Sequence, residues 1–220
     1  MKRKIFKWGA LSLVFMLLCT AAWGYFALYE KEHAELSEKR KNEEWRKACP
    51  DIHILHSGDI IFRHGRGFIS NSLAHFSKKD SRYSHAGIIT FINGKPYVYH
   101  SIGGEENITN KLRKESLTTF CNPDNNHSFG IYRLDLSSLQ INKMDSAASA
   151  YYKAGLEFDT DFDLTTDDKM YCTEFVYKII NGIVHDKNYI PLSEVSGKKY
   201  VACDDIYINP HSTKIYSYVY

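Results

Sequence analysis

An excess of charge of either sign is missing from this sequence: 28 lysines and arginines stand against 26 aspartates and glutamates, a net of +2. That balance gives no electrostatic case for nucleic acid as a partner. Cysteines at metal-type spacing are missing too. The five cysteines fall at positions 19, 49, 121, 172 and 203, with no C-x-x-C among them, so no zinc or other metal site is expected from them. Their odd count and scatter fit one reactive thiol and at most one incidental bridge among Cys49, Cys121 and Cys203. Internal repeats and low-complexity tracts are absent as well, and no cofactor-binding motif is present.

What is present is globular: 44% of the 220 residues are hydrophobic and 25% charged, and sixteen tyrosines and twelve phenylalanines can build a core. The length suits one domain plus something small. The N-terminus supplies the small part. "MKRKIFK" is basic, and no residue from Trp8 to Tyr29 is charged. About 20 apolar residues span a bilayer, and lysine and arginine ahead of the run favour keeping that end in the cytoplasm. Residues 1–29 are therefore expected to be a signal-anchor helix in a bacterial inner membrane, with the rest outside the cytoplasm. The alternative is a signal peptide cleaved near Ala22-Trp23-Gly24, leaving a secreted protein. Leu18 before Cys19 argues against a lipoprotein site. Residues 30–49, rich in both charge signs, form a charged helical spacer. Pro50 closes it, so residues 50–220 are expected to be the main domain.

Within that domain, strand-like runs alternate with turns and helices. "DIIF" at 59–62 is β-branched, and "ISNSLAHFS" at 69–77 has helical spacing. "FGIYRLDL" at 129–136 alternates as a strand does. "QINKMDSAASAYYKAG" at 140–155 is a helix that ends on Gly155. A second helix is expected from about Asp167 or Asp168 to Gly182. The fold class is α+β, a small antiparallel sheet or barrel packed on helices.

"AGIITFI" and "PYVYHS" flank Asn93-Gly94, a strong hairpin signal. A two-residue type I′ turn pairs Ile92 with Lys95 and sets Gly87 opposite His100. Gly87 shares a face with His85, so His85 and His100 become diagonal neighbours about 7 Å apart or closer. A one-residue change in the loop would separate them.

Two histidines without a third ligand in register leave room for a nucleophile, and Cys172 fits. In "KMYCTEFVYKII" Phe175, Val176, Ile179 and Ile180 follow it at helical spacing, so Cys172 leads a buried stripe. Thr166, Asp167 or Asp168 would cap the helix. Amides and dipole at its start, with a neighbouring imidazolium, favour a thiolate. A small cysteine filling the core is the plainer reading of the same pattern.

Taken in order, "SGDIIF", "YSHAGI", "KPYVYHS", "GLEFDTDF" and "MYCTEFVYK" resemble the circularly permuted NlpC-type, papain-like thiol hydrolases. That group includes an exported bacterial branch and, distantly, the lecithin retinol acyltransferases. The resemblance runs from about Ser57 to Gly182 and on into "CDDIYINPHSTKIY". It implies a permuted papain-like fold, with Cys172 as nucleophile, His85 as general base and later acid, and His100 where relatives place the residue that orients the base. The branch it looks most like implies glutamate at that third position, so histidine is a mild departure. Tyr83, two residues before His85, is a candidate oxyanion donor or a packing residue. The implied substrate is a cell-wall peptide amide or a lipid-linked acyl group. A silent envelope binding module of the same fold is the alternative, and a metal-dependent hydrolase built on His85 and His100 ranks third.

Three further features are set aside. "DTDFDLTTDDKM" from Asp159 has carboxylates at calcium-loop positions but Leu164 and Met170 where glycine and glutamate belong. Asp59 after Gly58 is expected to be a turn residue, and Glu174 to face solvent or a structural ion pair.

Overall fold

The structure, a computed structural model, describes the backbone of residues 2–104 and 107–220, and the side chains of Met16 and of Leu18 onward within those bounds. Its elements in chain order are α1 (Lys2–Ala48), a 3-10 turn (Ile52–Ile54), β1 (Ile60–Gly65), α2 (Phe68–Ala74), β2 (His85–Ile92), β3 (Lys95–His100), β4 (Arg113–Ser116) and α3 (Leu117–Phe120). They continue with β5 (Asn126–Leu134), α4 (Ser138–Ala154), α5 (Cys172–Val184), β6 (Ser193–Val195), β7 (Lys198–Tyr200), α6 (Cys203–Tyr207) and β8 (Ser212–Val219). The chain divides into two compact units, residues 1–44 and 45–220.

The first unit is helical throughout and belongs to α1. Among the described residues no helix is long and apolar enough to cross a membrane. The side chains of residues 8–15 and 17 of the charge-free run Trp8–Tyr29 lie outside the described residues. The charged spacer is not a separate element, because α1 continues unbroken to Ala48. An i,i+4 pair of Lys31 and Glu35 lies along it.

The second unit is built on an open antiparallel sheet in the order β4-β3-β2-β1-β5-β8. One face carries Ile60, Phe62, Ala86 and Ile88 against Met144, Ala148, Phe175, Val176 and Ile180 of α4 and α5. The other carries Ile61, Ile89, Val98, Phe129 and Ile131 against Trp45, Ala48 and Phe120. The strands buried on both faces explain why "DIIF" and "AGIITFI" are continuous apolar runs rather than alternating ones. The α+β expectation holds; the sheet is open, with β4 and β8 at its edges.

The hairpin forms as expected. Asn93 and Gly94 have φ of 51° and 74°, as a type I′ turn requires, and Ile92 pairs with Lys95. Helix α4 likewise ends on Gly155 at φ 71°. Asp59 is more than a turn residue. Its carboxylate accepts the His56 amide at 2.8 Å and is held by Arg133 Nε at 2.7 Å and Nη2 at 2.8 Å. This bidentate pair ties the entry of β1 to β5.

All five cysteines are free. The carboxylate-rich loop after Phe158 is ordered by its own backbone, since Asp159 accepts the amides of Asp161 and Asp163. Among the described residues no group of three or more His, Cys, Asp or Glu side chains could hold a metal ion.

Candidate functional site

Helix α5 starts later than its sequence suggests. Residues 167–168 lie in a turn, while Lys169 bridges to Glu157 and the Met170 amide donates to Glu157 O at 3.0 Å. That extended bridge holds the chain straight until Tyr171 caps the helix and Cys172 opens it. The caps expected at Thr166, Asp167 or Asp168 are thus replaced by Tyr171, whose amide donates to the Glu174 carboxylate at 3.1 Å. The later start puts Cys172 in the first position, where backbone N–H groups are unspent.

Three ties hold this helix end in place. Ser101 Oγ, just past β3, donates to Met170 O at 2.6 Å. Thr173 Oγ1 donates to Val201 O at 2.7 Å, and the Val201 amide donates to Tyr171 Oη at 2.9 Å. The backbone amides of Ala86, Thr173 and Cys172 itself favour the thiolate electrostatically. Ala86 follows His85 in β2, the strand against which α5 packs, so the thiol lies near the start of that strand.

The two histidines meet as the hairpin register requires. His85 Nε2 lies 2.8 Å from His100 Nδ1, and both rings pack on Phe120, with centroids 5.8 and 5.1 Å away. Gly87 makes the approach possible: a Cβ there would fall 3.1 Å from His100 Cβ and 3.0 Å from Tyr99 O. The mutual contact uses one nitrogen of each ring, leaving Nδ1 of His85 uncommitted to His100.

Arg63 and Glu115 complete the charge pattern. Arg63 is paired with His85 across β1 and β2. Its Nη1 donates to Phe120 O at 3.2 Å, and its guanidinium lies 4.8 Å over the Phe120 ring. On β4, Glu115 Oε1 is 3.1 Å from His100 Nε2. The approach is oblique to the ring N–H, so the contact acts through charge more than through a linear hydrogen bond. Neither residue is apparent in the sequence as a site residue. Arg63 leaves one trace, a charge interrupting the apolar run of "DIIFR". Glu115 leaves none, because β4 is a four-residue polar strand.

Burial sets the resting protonation. It pushes the Cys172 thiol up, and the three amides and the Arg63 charge pull it down without cancelling that rise. Burial, then Arg63 and His100, hold His85 well below the usual imidazole range. His100 is lowered by burial, with Glu115 opposing. Burial alone would raise Glu115, but His100, Arg63 and Arg113 bring it below the ordinary carboxylate range. Both shifts favour a neutral thiol and a neutral imidazole at rest: enclosure opposes the thiolate that the helix end favours.

Tyr83 is not with these groups. β2 begins at His85, so strand alternation does not reach back to position 83. The Tyr83 ring belongs to the opposite core face, stacked on Phe62 at 5.6 Å and edge-on to Tyr207 at 5.2 Å. Its hydroxyl is packed over Gly130. Tyr83 is a core residue, and the donors next to the sulfur are backbone amides.

Glu174, expected to face solvent or a structural ion pair, is fully buried and makes an ion pair, 3.0 Å from Lys178 Nζ. Burial raises its carboxyl to about 7 against the pull of Lys178 and the Tyr171 amide. A raised acid contributes its stability below its unfolded pKa and loses it as pH rises through the folded one. The melting temperature of the wild-type chain therefore carries a fall between about pH 4.5 and 7 from this group. Glu174→Gln is expected to flatten that part of the profile, and identical profiles for the two proteins would exclude the linkage.

A cavity of about 500 Å³ lies elsewhere, lined by Asn107, Lys111, Arg113, Lys114 and Tyr152 among others. Its lining has no cysteine or imidazole, so the chemistry is placed at Cys172 and His85.

The order of these residues along the chain, histidine first and cysteine last, reverses that of papain. A family model described as permuted papain-like amidase enzymes of the YaeF/YiiX type, C92 family, matches residues 54–205. The chain belongs to this family. By membership it is of the cysteine peptidase and amidase kind. Among curated proteins, the YiiX protein of Escherichia coli strain K12 is 29% identical over 125 residues, which is 56% of this chain and 56% of YiiX. The chain thus aligns with little more than half the length of that relative. A crystal structure of yiiX from Escherichia coli O157:H7, described as a metalloprotein, superposes with a TM-score of 0.61 at 20% identity. It covers 75% of this chain and 98% of that one, and supports the fold. The donor set of this chain does not fit a metal. The facing nitrogens of His85 and His100 are engaged with each other, and among the described residues no group of three or more His, Cys, Asp or Glu side chains could hold a metal ion.

Proposed function

We propose that this chain is an exported, membrane-tethered cysteine hydrolase that opens amide or ester bonds through an acyl-enzyme. Its substrate class is a cell-wall peptide or a lipid-linked acyl group. The observation that carries the reading is the 2.8 Å contact of His85 Nε2 with His100 Nδ1, on the strand against which α5, opened by Cys172, packs. The tether and the location outside the cytoplasm rest on the basic start and the charge-free run of the N-terminal sequence.

Because thiol and imidazole rest neutral, His85 acts as a general base during attack. The Cys172 Sγ–H proton passes to His85 Nδ1 as sulfur adds to the carbonyl carbon, and the carbonyl π electrons move onto oxygen. Backbone N–H groups at the start of α5 stabilise that oxyanion. As the oxyanion collapses, the C–N or C–O bond breaks, and the amine or alcohol leaves with the proton from His85. A thioester on Cys172 remains. Water then gives a proton to His85, adds to the thioester, and releases the acid and the free thiol. His100 holds the His85 ring for these transfers.

Iodoacetamide alkylation of Cys172 in the full chain, followed by mass spectrometry across pH, tests this without a known substrate. Wild type is expected to react at neutral pH with an acid limb below 6.5, where His85 becomes the free base. His85→Ala should react only along an ordinary thiol titration above about 8.5. Superimposable profiles would make Cys172 a core residue and turn the assignment to a binding module.

A further inference from the structure

Among the described residues Glu115 is the carboxylate that reaches the histidine pair, and it does so from an edge strand, two residues from the half-exposed Arg113. We propose that Glu115 is a positioning residue, the fourth member of a Cys172–His85–His100–Glu115 array, which fixes the tautomers of both histidines so that Nδ1 of His85 is the free base. The inference rests on the cysteine-hydrolase reading above and deepens it.

The proton positions follow from the contacts. A carboxylate 3.1 Å from His100 Nε2 favours a proton on that nitrogen, since the alternative puts a lone pair against a negative charge. A neutral imidazole carries one ring proton, so His100 Nδ1 is then an acceptor. The facing atom, His85 Nε2 at 2.8 Å, must donate to it. His85 in turn has its lone pair on Nδ1. Reversing the first step reverses every later one and leaves His85 with a proton where the thiol proton must go.

The surroundings of Glu115 fit this role. Its side chain is 14% exposed, while His100 is fully enclosed. It is kept ionised by His100, Arg63 and Arg113, with Arg113 Nη1 3.9 Å from Oε2. Register places the carboxylate: His100 pairs with Arg113 and Val98 with Glu115, so Glu115 leans diagonally toward His100 on the face they share. The glutamate expected at the third position of the triad is therefore supplied one step further out, from the next strand. This array orients the base through a neutral imidazole while keeping a full negative charge behind it. That charge also stabilises the imidazolium formed when His85 takes the thiol proton.

Two measurements on the full-length chain test it. Long-range 15N–1H spectra of 15N-histidine-labelled wild type, assigned by the signals lost in His85→Ala and His100→Ala, report which nitrogens carry protons. Both rings are expected as the Nε2–H form. A His85 ring protonated on Nδ1 would overturn the proposal. The second measurement is the alkylation profile of Glu115→Gln. The groups facing the histidines are Arg63 on β1, Arg113 and Glu115 on β4, and Cys172 on α5, and only the charge of Glu115 is removed. The acid limb is expected to move to lower pH and the rate at pH 7 to fall about tenfold, the equivalent of one pKa unit. An unchanged Glu115→Gln profile beside an altered His85→Ala profile would overturn the role of Glu115 alone. Unchanged profiles in both variants would overturn the hydrolase reading itself. If Glu115→Gln does not fold, the wild-type spectra decide.

Discussion

Cys172→Ser is expected to lose hydrolysis of any peptide-amide or acyl-ester substrate by a factor of at least about 10⁴, as removal of a nucleophile does in related acyl-transfer enzymes. The size of the effect follows from the enclosure of the site. His85 is held well below the usual imidazole range by burial, Arg63 and His100, so it is a weak base in its resting state. A thiol proton is within its reach during attack, because the backbone amides of Ala86, Thr173 and Cys172 favour the charge that develops on sulfur. A serine hydroxyl is several pKa units less acidic, and the same imidazole cannot draw its proton at neutral pH. The exchange removes little volume, so the fold should persist. The check is turnover on a panel of wall peptides and acyl esters, with mass spectrometry for the acyl-enzyme and thermal unfolding for the fold. Wild-type turnover in the serine variant would exclude Cys172 as the nucleophile.

Gly87→Ala is expected to damage both stability and the histidine pair. An added Cβ would lie 2.5 Å from Val98 Cγ1, 3.0 Å from Tyr99 O and 3.1 Å from His100 Cβ. The Tyr99 carbonyl is backbone in the neighbouring strand, so the strands must part to admit the methyl. Overpacking of this kind costs about 1–3 kcal/mol. Moving His100 also lengthens its contact with His85, so neutral-pH alkylation of Cys172 should fall together with the melting temperature. Gly67→Ala is the control, since a Cβ there meets nothing within 4 Å at an ordinary φ of −95°. Equal melting temperatures for the two variants would show that the β2–β3 spacing is not set by Gly87.

The meeting of His85 and His100 was legible because it depends only on local rules. Asn-Gly selects a two-residue turn, the turn sets the register, and the register sets which side chains share a face. Helices α4 and α5 were legible by periodicity, and Cys172 by its place at the head of an apolar stripe. The start of α5 was not, because Lys169 and Met170 are held extended by Glu157, twelve residues earlier. Acidic residues that would cap a helix in isolation lost to that bridge. Of the two readings of Tyr83, oxyanion donor or packing residue, its place in the core agrees with the second, because strand alternation does not reach back two residues before His85.

By itself, then, the sequence determined the order of histidine and cysteine, the turn that joins the two imidazoles, and the helix that carries the thiol. Each of these is fixed by neighbours within a few residues along the chain or across one hairpin. Only the tertiary structure decided the charge state of the site. Arg63 from β1, Phe120 from α3 and Glu115 from β4 converge on the histidines from outside the hairpin. The enclosure they make leaves thiol and imidazole both neutral, since the cost of a buried charge depends on everything packed around it and not on the residues beside it in the chain.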